Sequence, residues 1–145
     1  MGLDMYLIRN VYIPPIDDNL ISANVNDHKF DQQVGYWRKA NQIHNWFVKN
    51  VQDGVDDCRV YNVSKEQLRE LKETCEKALE EKTEEAANDF LPTAQGFYYG
   101  SADYGPGYWE DLEETVKILD SILERDDSIE TNGGACISYQ YYSSW

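Results

Sequence analysis

The sequence predicts an α+β domain in which a small, mostly antiparallel sheet, with strands near both termini, is covered by about three helices. Three features indicate this class. The first residues alternate as in a half-buried strand, the middle of the chain holds three segments with apolar residues at helical spacing, and the closing residues favour a sheet. The chain has 145 residues, the size of one ordinary domain, so we predict a single domain over residues 1–145.

The opening residues, "GLDMYLIRNVYI", place Leu3, Met5 and Leu7 on one face of a predicted strand. A pair of prolines then ends this strand. The segment from Ile16 to Gln33 is polar, rich in Asn and Asp and only weakly periodic, which predicts a loop.

The next segment, "GYWRKANQIHNWFVKN", predicts a helix from Tyr36 to Val51, followed by Gly54, which suits the left-handed conformation after a helix end. At 3.6 residues per turn, one side of this helix forms an apolar stripe that we expect to face the core. The stripe consists of Tyr36, Ala40, Ile43, Phe47 and Val51. A short extended piece, "CRVYNV", follows the helix.

Two further helices are predicted. Ser64 and Gln67 form the capping-box pattern, which opens a helix through about Ala86 with glutamates over much of its surface. Its buried stripe is predicted to be Leu68, Leu71, Cys75, Ala78 and Leu79. The other helix runs from about Tyr108 to Arg125, and its apolar residues at helical spacing are Trp109, Leu112, Val116, Leu119 and Leu123, widened by Ile118 and Ile122.

Two sheet-forming segments complete the predicted architecture. Phe97 to Tyr99 reads as a short strand, and a glycine-rich turn around Pro106 follows it. The closing residues, "ACISYQYYSSW", predict a last strand because tyrosine and isoleucine favour sheets.

The composition limits the classes of partner. Acidic residues outnumber basic ones, 27 against 13, and the net charge of -14 opposes direct binding to nucleic acid or to an anionic membrane. A soluble acidic surface and mimicry of nucleic acid charge both stay open as explanations of this acid. The sequence holds neither a membrane-spanning apolar run nor the features of a signal peptide, so we expect a cytosolic protein.

The residues that usually carry catalysis or metal binding form no known pattern here. Cys58, Cys75 and Cys136 are far apart, which predicts neither a disulfide framework nor a zinc site and fits a reducing cytosol. The two histidines, His28 and His44, stand in no metal-binding motif. No phosphate-binding loop or nucleophile motif is present. We therefore predict no catalytic residue, no metal and no cofactor.

Basic and aromatic residues gather on the flanks of the predicted helix from Tyr36 to Val51, within an otherwise acidic chain. Such flanks suit a small anionic, aromatic molecule such as a nucleotide derivative, because rings stack on rings and cations meet phosphates. The predicted ligand wall is Trp37, Arg38, Lys39, Asn41, His44 and Trp46. The alternative is that the rings pack the edge of the core, that the cations pair with carboxylates and that His44 is a packing residue.

The glycine-rich segment "QGFYYGSADYGPGY" supplies the facing side of the predicted site. Its glycines let the backbone approach a ligand, and its hydroxyl groups offer hydrogen bonds. The candidates are Tyr98, Tyr99, Ser101 and Tyr104. The alternative is a hairpin or a strand-to-helix turn stabilised by its own aromatic residues.

At these residues the chain resembles a family of small, uncharacterised proteins encoded by bacteriophages and prophages. The resemblance lies in "MGLDMYL", "GYWRKAN" with His44, Trp46 and Phe47, "LPT" with Gly96-Phe97 and Gly100-Ser101, and the closing "SSW". It implies a protein of the host bacterial cytoplasm that acts on the infected host. One such class binds and withholds the nucleotide signals of bacterial defence systems, without catalysis.

Two other functions stay open at this point. The chain could inhibit a host enzyme through an acidic surface such as the helix from Ser64 to Ala86. It could also hydrolyse a signalling nucleotide, with His44 or a pair of carboxylates as the base. A host protein and a second copy of the chain are both open as partners.

Overall fold

The structure of the protein is a computed structural model that describes residues 2–13, 28–96, 98–132 and 136–145. The predicted α+β class is confirmed, because four antiparallel strands and four helices lie within these ranges. In chain order the elements are β1 (Asp4–Ile13), β2 (His28–Arg38), α1 (Asn41–Asn50), β3 (Tyr61–Val63), α2 (Lys65–Glu81), α3 (Glu84–Phe90), α4 (Pro106–Asn132) and β4 (Cys136–Ser144).

The four strands form one sheet in the order β2-β1-β4-β3, so the two terminal strands are neighbours at its centre. The pairing of β1 with β2 shifts where Leu7 faces Gly35 and Ile8 faces Gln33, which leaves Val34 as a bulge. A Cβ atom at Gly35 would lie 3.1 Å from the Cβ of Leu7 and 3.2 Å from the Cγ2 of Ile118. Glycine therefore lets α4 approach the sheet closely beside the bulge.

The helices cover one face of the sheet. Leu3, Met5 and Leu7 lie fully buried on that face, as the alternation in β1 predicts. The ring of Phe47 in α1 stacks on Tyr141 in β4 with their centroids 3.8 Å apart. This stacked pair joins the first helix to the centre of the sheet.

The long helix α4 ties the two layers together. It contacts β2 and β4 on one side and α2 on the other. Leu112, Leu119 and Leu123 are buried, which confirms the predicted apolar stripe. In α2, Cys75 is also buried, and burial raises the pKa of its thiol, so Cys75 is a core residue.

A buried ion pair fixes the end of α4 to the sheet. The Nε and Nη2 atoms of Arg9 lie 2.9 and 2.7 Å from Oδ1 of Asp126, which is 0% exposed. The hydroxyl of Tyr139 donates to Oδ2 of the same carboxylate at 2.6 Å. Three strand and helix side chains thus satisfy one another inside the core.

The predicted helix from Tyr36 to Val51 is wrong in its first turn, because the chain is still in β2 there. Pairing with β1 continues as far as Arg38, which faces Asp4. Lys39 then takes a left-handed conformation with φ at 56°, and α1 begins only at Asn41. Tyr36, predicted to be core, points away from the helices and is 43% exposed.

Two other predictions of local structure are corrected. Residues 28–33, predicted as part of a loop, belong to β2, whereas residues 16–27 of that loop lie outside the described residues. The predicted strand from Phe97 to Tyr99 is not confirmed, because Tyr98 and Tyr99 lie in a turn closed by a hydrogen bond from Tyr99 N to Gly96 O at 3.1 Å. Phe97 itself is outside the described ranges.

The capping box that opens α2 is confirmed. Gln67 N donates to Ser64 Oγ at 3.0 Å, and Ser64 N donates to Gln67 Oε1 at 2.9 Å. The predicted helix through Ala86 is nevertheless two helices, because the chain turns at Lys82, where φ is 49°, and α3 starts from a new cap at Thr83. The last helix starts at Pro106, which suits a first helical position, and runs to Asn132 instead of Arg125.

Candidate functional site

The two tryptophans of the predicted ligand wall are packed against protein. Trp37 is 3% exposed, and its Nε1 donates to Thr115 Oγ1 at 2.8 Å. Trp46 is also buried, and its ring meets Phe47 edge-on with centroids 5.3 Å apart. Both indoles therefore belong to the core, and Trp46 also lines a small cleft of about 190 Å³ beside the end of α3.

His44 is held by two partners and is 1% exposed. Its Nδ1 lies 2.6 Å from the hydroxyl of Tyr141, and its Nε2 lies 2.9 Å from Oδ1 of Asp56. A neutral ring satisfies both contacts when the tyrosine donates to Nδ1 and Nε2–H donates to the carboxylate. Burial lowers the pKa of His44, although Asp56 acts in the opposite direction. His44 is thus a structural residue that a substrate does not reach.

This assignment predicts how stability depends on pH. Because the folded pKa of His44 lies below its ordinary value of 6.5, the contribution of the neutral ring is present above about pH 6.5 and is lost as pH falls through the folded pKa. We expect the difference in unfolding free energy between the wild type and His44→Gln to shrink on acidification. Urea unfolding at a series of pH values measures it, and a difference that grows at low pH would show instead that the imidazolium–Asp56 pair dominates.

Asn41 holds the loop that follows α3. Its Nδ2 donates to Tyr99 O at 3.0 Å and to Ser101 O at 2.8 Å. Its Oδ1 accepts from Ala94 N at 3.0 Å. The buried amide therefore binds the backbone between residues 94 and 101 with both of its N–H donors and with its oxygen. Neither N–H donor is left for a ligand.

The same loop crosses the side chain of Lys39. Gly100 has φ at +80°, and a Cβ atom there would lie 3.0 Å from the Cβ of Lys39. The close approach and the left-handed backbone both favour glycine at this position. Lys39 is itself exposed, so the loop covers part of its aliphatic stem at the edge of a cleft.

This cleft, which we call the polar cleft, lies between the loop and the first turns of α4 and has a volume of about 230 Å³. Among its described lining residues, Lys39 is the single cation and faces three carboxylic acids. Burial raises the pKa of Asp111 and Glu110 adds to this shift, whereas a hydrogen bond from Gln42 opposes it. The lining residues are Lys39, Gln42, Thr93, Ser101, Asp103, Gly107, Tyr108, Glu110 and Asp111.

A second cleft, the aromatic cleft, lies on the other side of the same helical turn and has a volume of about 510 Å³. It shares Glu110 with the polar cleft and is lined by two half-buried rings, Tyr104 and Trp109. Tyr104 is fixed in place, since its hydroxyl donates to Asn88 Oδ1 at 3.0 Å. Its other lining residues are Lys82, Gly105, Pro106 and Glu113.

Three of the ten predicted site residues, Lys39, Ser101 and Tyr104, therefore line these clefts. Arg38 points to the opposite face of the sheet, where its Nη1 lies 3.1 Å from Asp4 Oδ1. Tyr98 stacks on Trp145 with centroids 6.4 Å apart. The other five, which pack against protein, are Trp37, Asn41, His44, Trp46 and Tyr99.

Gln42 and Trp109 are among the lining residues that sequence reasoning missed. Gln42 follows Asn41 in α1, and its Nε2 donates to Asp111 Oδ2 at 3.2 Å. Trp109 was predicted to be core because it fits the apolar stripe of α4; it is half-buried and packs against the core, and from the first turn it also lines the aromatic cleft. The position of Trp109 in the first turn of the predicted helix is the feature of the sequence that could have indicated partial exposure.

Neither a metal site nor a bilayer-spanning helix is found where the structure is described. No group of three or more His, Cys, Asp or Glu residues in those ranges could hold a metal ion. No helix there is long and apolar enough to cross a bilayer. No family model, curated protein or solved structure matches the chain.

Proposed function

We propose that this chain is a phage-encoded binding protein that sequesters a nucleotide-derived signalling molecule in the host bacterial cytoplasm, without catalysis. The observation that supports the proposal is the pair of clefts on the first turn of α4, which offers Lys39 on one side and the rings of Tyr104 and Trp109 on the other. Ring faces and an ammonium group suit a base and a phosphate. The resemblance to phage proteins supports the biological setting.

The charges around the clefts limit the kinds of ligand that we expect to bind. The base would stack on Trp109 or Tyr104, and a phosphate would meet Lys39 near the N-terminus of α4. Glu110 and Asp103 would accept hydrogen bonds from ribose hydroxyls or exocyclic amino groups. Because three carboxylic acids face one lysine, we expect ligands with few phosphates to bind better than triphosphates.

Withholding a signal requires affinity but no reacting group, which is consistent with the state of His44. Its two ring nitrogens are engaged by Tyr141 and Asp56 inside the core. The hydrolase alternative would need a base within reach of the ligand, and its candidates are the carboxylic acids of the polar cleft, Asp103, Glu110 and Asp111. Chromatography of the ligand after long incubation tests that alternative, since an altered ligand would contradict sequestration.

Calorimetry against cyclic AMP, cyclic GMP, ADP-ribose and cyclic ADP-ribose tests the binding proposal. We expect at least one of these to bind, and we expect Lys39→Ala to weaken that binding about tenfold through the loss of one charge-assisted hydrogen bond. Arg38→Ala is the matched control, because the neighbouring cation points to the other face of the sheet and should leave binding unchanged. Absence of binding across the panel, or equal losses in the two variants, would count against the clefts.

The second candidate is inhibition of a host enzyme through an acidic surface. The observation that favours it is the outer side of α2, where Glu66, Glu73, Glu76 and Glu80 are exposed. A basic host partner captured on this surface should be released as salt is raised. Retention of the same partner by a variant with these four glutamates changed to glutamine would rule this surface out.

A further inference from the structure

The face of the sheet that points away from the helices is covered by no helix within the described ranges, and we call it the open face. Its residues follow from the strand pairing and the alternation of side chains. On β1 and β2 they are Asp4, Tyr6, Ile8, Asn10, Tyr12, Lys29, Asp31, Gln33, Tyr36 and Arg38; on β3 and β4 they are Asn62, Cys136, Ser138, Gln140, Tyr142 and Ser144.

Three tyrosines form a row across the open face, next to the row of Asp4 at its end. Tyr6 stacks on Tyr142 with centroids 4.7 Å apart and an angle of 18° between the rings. On its other side, Tyr6 meets Tyr36 with centroids 5.5 Å apart. Tyr36 is 43% exposed, so the row spans three strands and presents ring surface to the outside. Tyrosine is a residue type enriched at protein interfaces.

The open face is electrically neutral, unlike the rest of the chain. It holds two acids, Asp4 and Asp31, and two bases, Lys29 and Arg38. The net charge of -14 is therefore carried entirely by the remainder of the chain. Two copies that approach through most other surfaces bring negative charges together. When they approach through their open faces, each copy meets a surface on which positive and negative charges are equal in number.

The size of the open face is also sufficient for association. Strands of about nine residues are about 30 Å long, and three of them side by side are about 15 Å wide. The projected area is thus about 450 Å² per copy, and the pleated, side-chain-covered surface is larger. Two copies would bury about 1,000 Å² or more, which is near the lower end for specific protein interfaces.

We propose that the open face is the contact surface between two copies of this chain in a symmetric dimer. The same residues then meet across the interface from both sides, and the tyrosine row contributes its exposed ring surface to the contact. Because the two copies repel each other through their remaining charge, added salt strengthens this dimer. Capture of a basic partner by an acidic surface has the opposite dependence on salt.

Analytical ultracentrifugation across a range of protein concentrations, at about 50 mM and about 500 mM salt, tests the proposal. The wild type should form dimers with a lower dissociation constant at high salt. Tyr36→Ser should raise that constant at least tenfold at both salt concentrations. Phe90→Ser is the control, since Phe90 is 37% exposed on α3, in the helical layer, and its loss should leave the constant unchanged.

A second variant keeps the proposal testable in case Tyr36→Ser fails to fold. Ser138→Glu adds one acid per copy at an exposed position of the open face and should also weaken the dimer. Circular dichroism verifies the fold of each variant. A wild type that stays monomeric at both salt concentrations, or a dimer that survives in both folded variants, would overturn the proposal.

Discussion

We expect Asp126→Asn to lower the free energy of unfolding by about 3–5 kcal/mol, the typical cost of removing one partner from a buried ion pair. The carboxylate is 0% exposed and accepts bonds from both Arg9 and Tyr139. Asparagine is of similar size but carries no charge, so the guanidinium would stay buried without its counterion. Urea unfolding followed by circular dichroism measures the loss.

The neighbouring residue supplies a matched control. Asp127 pairs with Lys65 and Arg69 at the surface, so Asp127→Asn should change stability far less than Asp126→Asn. The double variant Arg9→Met with Asp126→Leu should recover much of the stability lost in Asp126→Asn, because it removes both charges together. Similar losses of unfolding free energy for Asp126→Asn and Asp127→Asn would show that burial does not determine how much an ion pair contributes to stability.

The second large effect is expected for Asn41→Asp, with a loss of about 3 kcal/mol or more. The change removes the two N–H donors that hold Tyr99 O and Ser101 O, and it places a carboxylate beside those carbonyl oxygens in a buried position. The loop that carries Ser101 should then detach from Lys39. Binding at the polar cleft should weaken beyond what the loss of global stability explains.

Asn45→Asp is the control for this change, because it introduces the same charge in the same helix. Asn45 makes one hydrogen bond, from Nδ2 to Pro92 O at 3.3 Å, and it is half-buried. We expect a loss of about 1 kcal/mol there. Equal effects of the two variants in thermal unfolding would mean that charge on α1, rather than the anchoring of the loop, determines the result.

The sequence predicts β1 well because the two sides of that strand differ. Leu3, Met5 and Leu7 stand at alternate positions, and burial of this side requires that pattern. The same alternation places Arg9 on the inner side. What the pattern could not supply is its partner, since Asp126 is 117 residues away and the pairing depends on how α4 crosses the sheet.

β2 is harder to predict because its first half lacks a buried side. Residues 29 to 33 are all exposed, so no alternation marks them as a strand. Tyr36 and Trp37, near the end of β2, also fit the helical spacing of α1, so periodicity alone predicts that the helix already includes them. The helix start gives no warning, since Ala40 makes no side-chain capping bond.

The candidate site, too, could be predicted only in part from the sequence. Arg38 and Lys39 are adjacent basic residues that sequence reasoning assigned to one wall. In the fold, Arg38 ends a strand on the open face, whereas the left-handed turn at Lys39 directs the chain toward the polar cleft. Residue types indicated which side chains suit a ligand, but the backbone decided which of them meet one another.

The four tryptophans allow a direct test of where the ligand binds, which we propose is the first turn of α4 and not the aromatic flanks of α1. In a ¹⁵N-correlated NMR spectrum, each indole N–H gives a separate signal. Titration with the tightest binder from the nucleotide panel should shift the signal of Trp109, which lines the aromatic cleft. The signals of Trp37 and Trp46, packed in the core, should stay in place. A shift of Trp37 or Trp46 with Trp109 unmoved would contradict the proposed site.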